Sequence, residues 1–193
     1  MVRIITGSAK GKKLITPPGE ATRPTSDRIK GAMFSSIQFD VENRRVLDLF
    51  AGSGQLGLEA LSRGAESCTF VDMERDAMEI VKKNAASLGF FDKSRFSVSD
   101  YRNFIRKAQN RDKYDLVFID PPYAMQCCTE AMRRLCEADL LLVGAIVVIE
   151  SGEETVDTDA LSALGYECTK NTSYGKKTAL HIFIYRGKGA AFV

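Results

Sequence analysis

Histidine is almost missing from this chain: one of its 193 residues, His181, which lies inside a late apolar run. Cysteine occurs five times (Cys68, Cys127, Cys128, Cys136 and Cys168), but never with Cys-x-x-Cys spacing. With a single histidine the donor set of a zinc site is lacking, so no metal centre is expected. An odd cysteine count without a framework pattern fits a reducing, cytoplasmic compartment. No apolar run approaches the roughly 18 residues of a membrane helix, so no membrane association is expected. The basic N-terminus is not followed by the apolar region of a signal peptide. A large charge of either sign is absent too: 27 basic residues face 25 acidic ones, a net +2.

The distribution of that charge says more than its sum. Residues 1–30 hold seven basic side chains (Arg3, Lys10, Lys12, Lys13, Arg23, Arg28, Lys30) against Glu20 and Asp27. A basic arm on a slightly acidic body suits a polyanionic partner, and equally a solvated hairpin. The length suits one globular body with a short appendage. Residues 2–6 and 12–16 read as short strands around a turn-like Gly7-Ser8-Ala9-Lys10-Gly11, a β-hairpin. Arg23-Pro24-Thr25-Ser26-Asp27 reads as a helix start, with Thr25 or Ser26 as the cap.

From residue 45 strands and helices alternate. Strands are expected at 46–50, 69–71, 96–98, 116–119 and 145–150. Helices are expected at 55–63, around 77–88 ending at Gly89, from about 103, and after 123 to about 137. The strands are apolar without alternation, as in a parallel sheet covered on both faces. Residues 166–171 and 179–185 have no helix between them and read as an antiparallel hairpin closing the sheet.

Two stretches carry chemistry. Asp48-Leu49-Phe50-Ala51-Gly52-Ser53-Gly54 ends the first strand, and Asp120-Pro121-Pro122-Tyr123 follows the fourth. Gly52-x-Gly54-x-x-Gly57, with Asp72 at the end of the second strand, also fits a dinucleotide fingerprint. Against a dehydrogenase stand Asp48, which would face a pyrophosphate unfavourably, and the lack of a hydride-transfer site. S-adenosylmethionine, with its ammonium and sulfonium, suits the acids better. Asp48 then accepts from the ammonium, Asp72 from the ribose hydroxyls and Asp100 from the adenine amine. Phe50, Ala51, Gly52, Gly54, Met73 and Tyr101 line the same pocket. Glu74 either shares the ribose or starts the next helix, and Asp100 equally suits a helix cap. At the second stretch, Asp120 and the Pro121 carbonyl are acceptors for an exocyclic base amine. Pro121 and Pro122 restrict the backbone that aims them. Tyr123 is placed to stack on a flat ring. No Pro-Cys dipeptide occurs, which removes the usual sign of carbon methylation through a cysteine adduct. Cys127 and Cys128 read as packing residues.

These residues carry a family resemblance. Arg3-Ile4-Ile5-x-Gly7, Gly11-Lys12-Lys13-Leu14 and Arg23-Pro24-Thr25-Ser26-Asp27-Arg28 are similar to segments of the bacterial RsmD-type 16S ribosomal RNA (guanine-N2)-methyltransferases. So are residues 46–54, Leu56-Gly57-Leu58-Glu59-Ala60-Leu61-Ser62-Arg63-Gly64-Ala65, the Asp120 to Tyr123 stretch and Tyr174-Gly175. Gly31, Ser35 and Lys176-Lys177 depart from the family pattern. The resemblance implies an α/β, Rossmann-like class I methyltransferase fold. That fold has a seven-stranded, mostly parallel sheet, an antiparallel C-terminal hairpin and an N-terminal β-hairpin extension. It implies an RNA-contacting segment at residues 1–44 and a catalytic domain at 45–193. It also implies N2 of a guanine in 16S ribosomal RNA, naked or in the small subunit, as target. A monomer is the default expectation, since no long exposed apolar face is evident in the sequence. Arg3, Lys12, Arg23, Thr25 and Arg28 become candidate RNA contacts. Acid-Pro-Pro-aromatic also serves DNA adenine-N6 and cytosine-N4 methyltransferases, and a ribosome-assembly module without turnover would keep the same pocket; both readings stay open on the residues alone.

Overall fold

The computed structural model describes residues 2–16, 26–152, 155–175 and 178–190. Arg23, Thr25 and Lys176-Lys177 lie outside the described residues, as do the side chains of Asp27 and Tyr123. The chain forms two compact units, Met1–Asp100 and Tyr101–Val193.

The first unit contains α1 (Ser26–Ser36), β1 (Arg45–Asp48), α2 (Gln55–Ser62), β2 (Ser67–Asp72), α3 (Arg75–Leu88) and β3 (Ser94–Val98). Its strands are parallel in the order β3-β2-β1. β1 and β2 are buried almost throughout, whereas β3 has one neighbour and only exposed or half-buried positions. α2 is buried all round, from Leu56 to Ser62. It lies so close to β2 that a Cβ on Gly57 would strike the Phe70 ring and come 2.6 Å from Cys68 Sγ. That close approach is the reason for glycine at the position. Gly89 ends α3 in the left-handed conformation (φ 75°), as its place in the sequence implies.

The second unit contains α4 (Tyr101–Ala108), β4 (Tyr114–Ile119), α5 (Cys128–Glu137), β5 (Leu141–Ser151), α6 (Thr158–Ala163), β6 (Tyr166–Tyr174) and β7 (Thr178–Tyr185). β4 and β5 are parallel, and β7 runs antiparallel to both β5 and β6, in the order β4-β5-β7-β6. The seven strands thus make the expected mixed sheet, mostly parallel with an antiparallel C-terminal hairpin. α6 is not among the expected elements. Asp157 caps it by accepting from Ala160 N at 2.9 Å, and its single turn and a half is too short to show a period. β5 begins four residues earlier than expected, because Leu141 and Leu142 join it ahead of Gly144.

The N-terminal arm pairs across its turn as the expected hairpin, though over a short stretch. Ile4 N donates to Lys12 O, Gly11 N to Ile4 O and Leu14 N to Val2 O, yet Arg3 and Lys13 form its single antiparallel bridge. The ladder stops because other groups take its backbone. Ile5 N and Thr6 N donate to the Glu59 carboxylate at 2.6 and 2.9 Å. Ile15 N donates to Asn84 Oδ1 at 2.9 Å. The arm is closed on itself over this short stretch and is also pinned to α2 and α3 of the first unit. No helix among the described residues is long and apolar enough to cross a membrane.

Candidate active site

In the first unit the carboxyl ends of three neighbouring parallel strands bring Asp48, Asp72 and Asp100 to one edge. Asp48 pairs in register with Phe70, and Asp72 with Val98. Ser99 N donates to Asp72 O at 2.8 Å, which holds the start of the Asp100 turn against the end of β2. The glycine loop follows β1. Gly52 and Gly54 both have positive φ, 53° and 80°, which side chains with a Cβ rarely adopt. Gly54 N donates to Ala51 O at 2.6 Å and Leu58 N to Gly54 O, so the loop runs directly into α2.

The three acids are not equivalent. Asp48 is buried, and its Oδ2 accepts from Gly57 N at 2.9 Å, tying the end of β1 to the first turn of α2. Burial pushes its carboxyl up to about 7. The Gly57 N–H opposes that rise and the nearby charge of Asp72 adds to it. Asp72 is half-buried; its Oδ2 accepts from Gly52 N at 2.8 Å and its Oδ1 from Glu74 N at 2.9 Å. Each oxygen keeps a further lone pair for a ligand. Asp72 therefore also shapes the glycine loop, a task the sequence does not reveal. Asp100 and Phe50 are half-buried, Ala51 is buried and Met73 is exposed at the same edge. Cys68 of β2 lies against Gly57 of α2, and burial together with the Asp48 charge raises its thiol well above the ordinary range, so it remains protonated.

In the second unit β4 delivers Asp120, half-buried with its Oδ1 enclosed. Pro121 is buried and Pro122 exposed. Pro122 is extended (φ −52°, ψ 133°), and its carbonyl accepts from Met125 N at 2.8 Å. That bond closes a short 3-10 turn, Tyr123–Met125, before α5. Cys127 and Cys128 are buried at the start of α5, which agrees with a packing role. Tyr101 is buried, and its hydroxyl donates to Glu130 Oε2 at 2.7 Å. Arg102 and Arg134 also bond Glu130. These donors hold its carboxyl down at about 2, Arg102 contributing most. Burial and this bond raise the Tyr101 phenol. Glu130 so ties the start of α4 to the start of α5, just beyond the Asp120 to Tyr123 stretch.

Among the candidate RNA contacts, Arg3, Lys12 and Arg28 are exposed. Lys30, counted with them by charge, is buried and donates to Arg3 O at 2.7 Å, so it braces the arm instead. Sequence reasoning misses the anchors of the arm. Glu59 is fully buried, bonding Ile5 N, Thr6 N and Arg63 Nε. Ser62 Oγ donates to Thr6 O and accepts from Ala9 N. Asn84 bonds both Ile15 and the loop residue Ser53. A signal exists for two of them: Glu59 is the one charged residue of α2, inside the run Leu56 to Leu61, and Asn84 falls on the apolar stripe of Ala77, Val81 and Ala85.

The model of a family described as conserved hypothetical protein 95 matches residues 2–184. YlbH of Bacillus subtilis, named as a candidate rRNA methyltransferase, is 35% identical over 187 residues, covering 96% of this chain and 100% of that protein. The ribosomal RNA small subunit methyltransferase D of Escherichia coli K12 is 35% identical over 153 residues, covering 79% of this chain and 76% of that protein. A solved Escherichia coli structure described as a candidate methyltransferase, yhhF, superposes with a TM-score of 0.83 at 31% identity. It covers 97% of this chain and 99% of that chain.

Proposed function

The chain belongs to the conserved hypothetical protein 95 family, the RsmD-type methyltransferases, and from that premise we propose that it moves a methyl group from S-adenosylmethionine to the exocyclic N2 of a guanine in small-subunit ribosomal RNA. The observation that carries the donor half is Asp48: a buried carboxyl, raised to about 7, with a second acid adding to the rise. Such a group is relieved by a neighbouring cation, and the donor brings an ammonium. The residues fit the group. Asp48 would hold the ammonium, directly or through water. The remaining lone pairs of Asp72 would take the ribose hydroxyls, and Asp100 the adenine amine. Phe50, Ala51, Gly52, Gly54 and Met73 would line the pocket. When bound, the donor supplies an electrophilic methyl on a sulfonium.

The second unit provides what an aromatic amine needs. Its lone pair is delocalised into the ring, so the protein must align the amine and accept its hydrogen bonds as positive charge develops. Asp120 and the Pro121 carbonyl are the acceptors, Pro121 and Pro122 fix their direction, and Tyr123 stacks on the base. Asp120 takes the proton only as the amine acidifies during methylation. Tyr101 acts through Glu130 by positioning α4. Arg3, Lys12, Arg23, Thr25 and Arg28, within residues 1–44, contact the RNA, and residues 45–193 carry catalysis. The protein works in the cytoplasm as a monomer.

Labelled methyl transfer to small ribosomal subunits, naked ribosomal RNA and duplex DNA tests the reading, with nucleoside mass spectrometry of the product. The expected product is N2-methylguanosine in the small-subunit RNA. Asp120→Ala should lower turnover about a hundredfold or more while donor binding persists. Methyl groups found on DNA, or undiminished turnover in Asp120→Ala, would overturn it.

A further inference from the structure

Asn84 lies on the buried face of α3 and is 1% exposed. Its side-chain amide makes three hydrogen bonds outside any helix or sheet ladder. Nδ2 donates to Ile15 O at 2.9 Å and to Ser53 O at 3.0 Å, and Oδ1 accepts from Ile15 N at 2.9 Å. One amide therefore pairs with the arm as a neighbouring strand would, and grips the glycine loop at the same time. Ser53 is itself buried between the two left-handed glycines. A carbonyl turned away from regular ladders in a buried loop needs a side-chain donor, and Asn84 is that donor. The arm meanwhile presents Arg3, Lys10, Lys12 and Lys13 outward while its backbone is held inward.

We propose that Asn84 is a positioning residue that couples the N-terminal arm to the glycine loop, so that RNA on the arm and the methyl donor on the loop strengthen each other's binding. The coupling rests on the functional reading above. Coupling of this kind is reciprocal. Anything that orders Ile15 orders the amide that supports Ser53, and a donor that orders the loop makes the arm easier to order in return. A residue serving stability alone would weaken the fold without changing the response of one ligand to the other.

The test is equilibrium dialysis of labelled S-adenosylhomocysteine against the full chain, with and without unmethylated small ribosomal subunits. The subunits should tighten its binding about tenfold in the wild type, and less than about twofold in Asn84→Ala. Equal tightening in both proteins overturns the coupling. So does no tightening in a wild type that binds S-adenosylhomocysteine and methylates the subunits. A wild type that fails to methylate them removes the functional reading instead, and the coupling falls with it. Should Asn84→Ala not fold, hydrogen exchange at the Ile15 amide of the wild type decides. S-adenosylhomocysteine should slow it about fivefold, and an unchanged rate overturns the proposal.

Discussion

At the scale of single residues, Asp48 shows how one carboxyl serves fold and site together. Its bond to Gly57 N fastens β1 to α2, and its burial keeps the acid titrating near neutrality. Because its folded value lies above the ordinary carboxylate value, the folded chain holds an extra proton between about pH 4 and pH 7. The stability from this group is fully present below about pH 4 and is lost as pH rises through 7. Binding an ammonium beside it favours the ionised form, and S-adenosylhomocysteine carries the same ammonium as the donor. The affinity for S-adenosylhomocysteine should therefore rise as pH increases from about 5.5 to 7, with net proton release on binding. Asp48→Asn keeps an acceptor for Gly57 N and removes the titration. Calorimetry of that variant should show weaker binding, no rise over the same interval and no released proton. An unaltered pH profile would mean that another group senses the donor. Part of this was legible in the sequence, since an acid ending a strand before a glycine loop suggests a cation. The second task of Asp72, organising Gly52 and Glu74 through backbone bonds, was not legible, because side-chain bonds to loop backbone leave no spacing pattern.

At the scale of elements, periodicity and glycine placement locate most helices and strands. Continuous apolar runs mark β1, β2, β4 and β5, and Gly89 marks the end of α3. What the sequence hides has two causes: contacts distant in sequence, and an element too short to show a period. The arm pairs as the hairpin its residues imply, but its anchoring is hidden: buried polar side chains of α2 and α3, some 50 to 70 residues away, take the backbone donors of Ile5, Thr6 and Ile15. α6 depends on a cap and one buried leucine, Leu161, rather than on a repeat. Glu59 makes two of these contacts; it is a fully buried carboxyl whose partners are two amides and Arg63. Replacing it with alanine strands those donors, so Glu59→Ala should cost about 3 kcal/mol. Urea unfolding of the variant gives the loss, and hydrogen exchange at the Ile5 and Thr6 amides should show the arm released. Retained protection at both amides would show that the arm holds without α2.

At the scale of the whole chain, the useful fact is where charge is placed rather than how much there is. Seven bases and two acids in the first thirty residues leave the remainder slightly acidic. The structure sorts those bases further. Lys30 is consumed in bracing the arm, while Arg3, Lys10, Lys12, Lys13 and Arg28 face outward. Composition alone could not make that division, since a buried lysine and an exposed one are the same letter. A ribosomal RNA substrate bound through outward cations releases counterions, and its affinity falls with salt by close to one power per phosphate contact. Lys12→Ala should therefore weaken RNA binding across sequences and lower the salt slope by about 1, with donor affinity in the absence of RNA unchanged. Lys30→Ala should act differently, loosening the arm and destabilising the fold while the salt slope per bound protein stays the same. Filter binding across a salt series separates the two. A reduced slope in Lys30→Ala, or an unreduced one in Lys12→Ala, would reverse the assignment of which cations meet the phosphates.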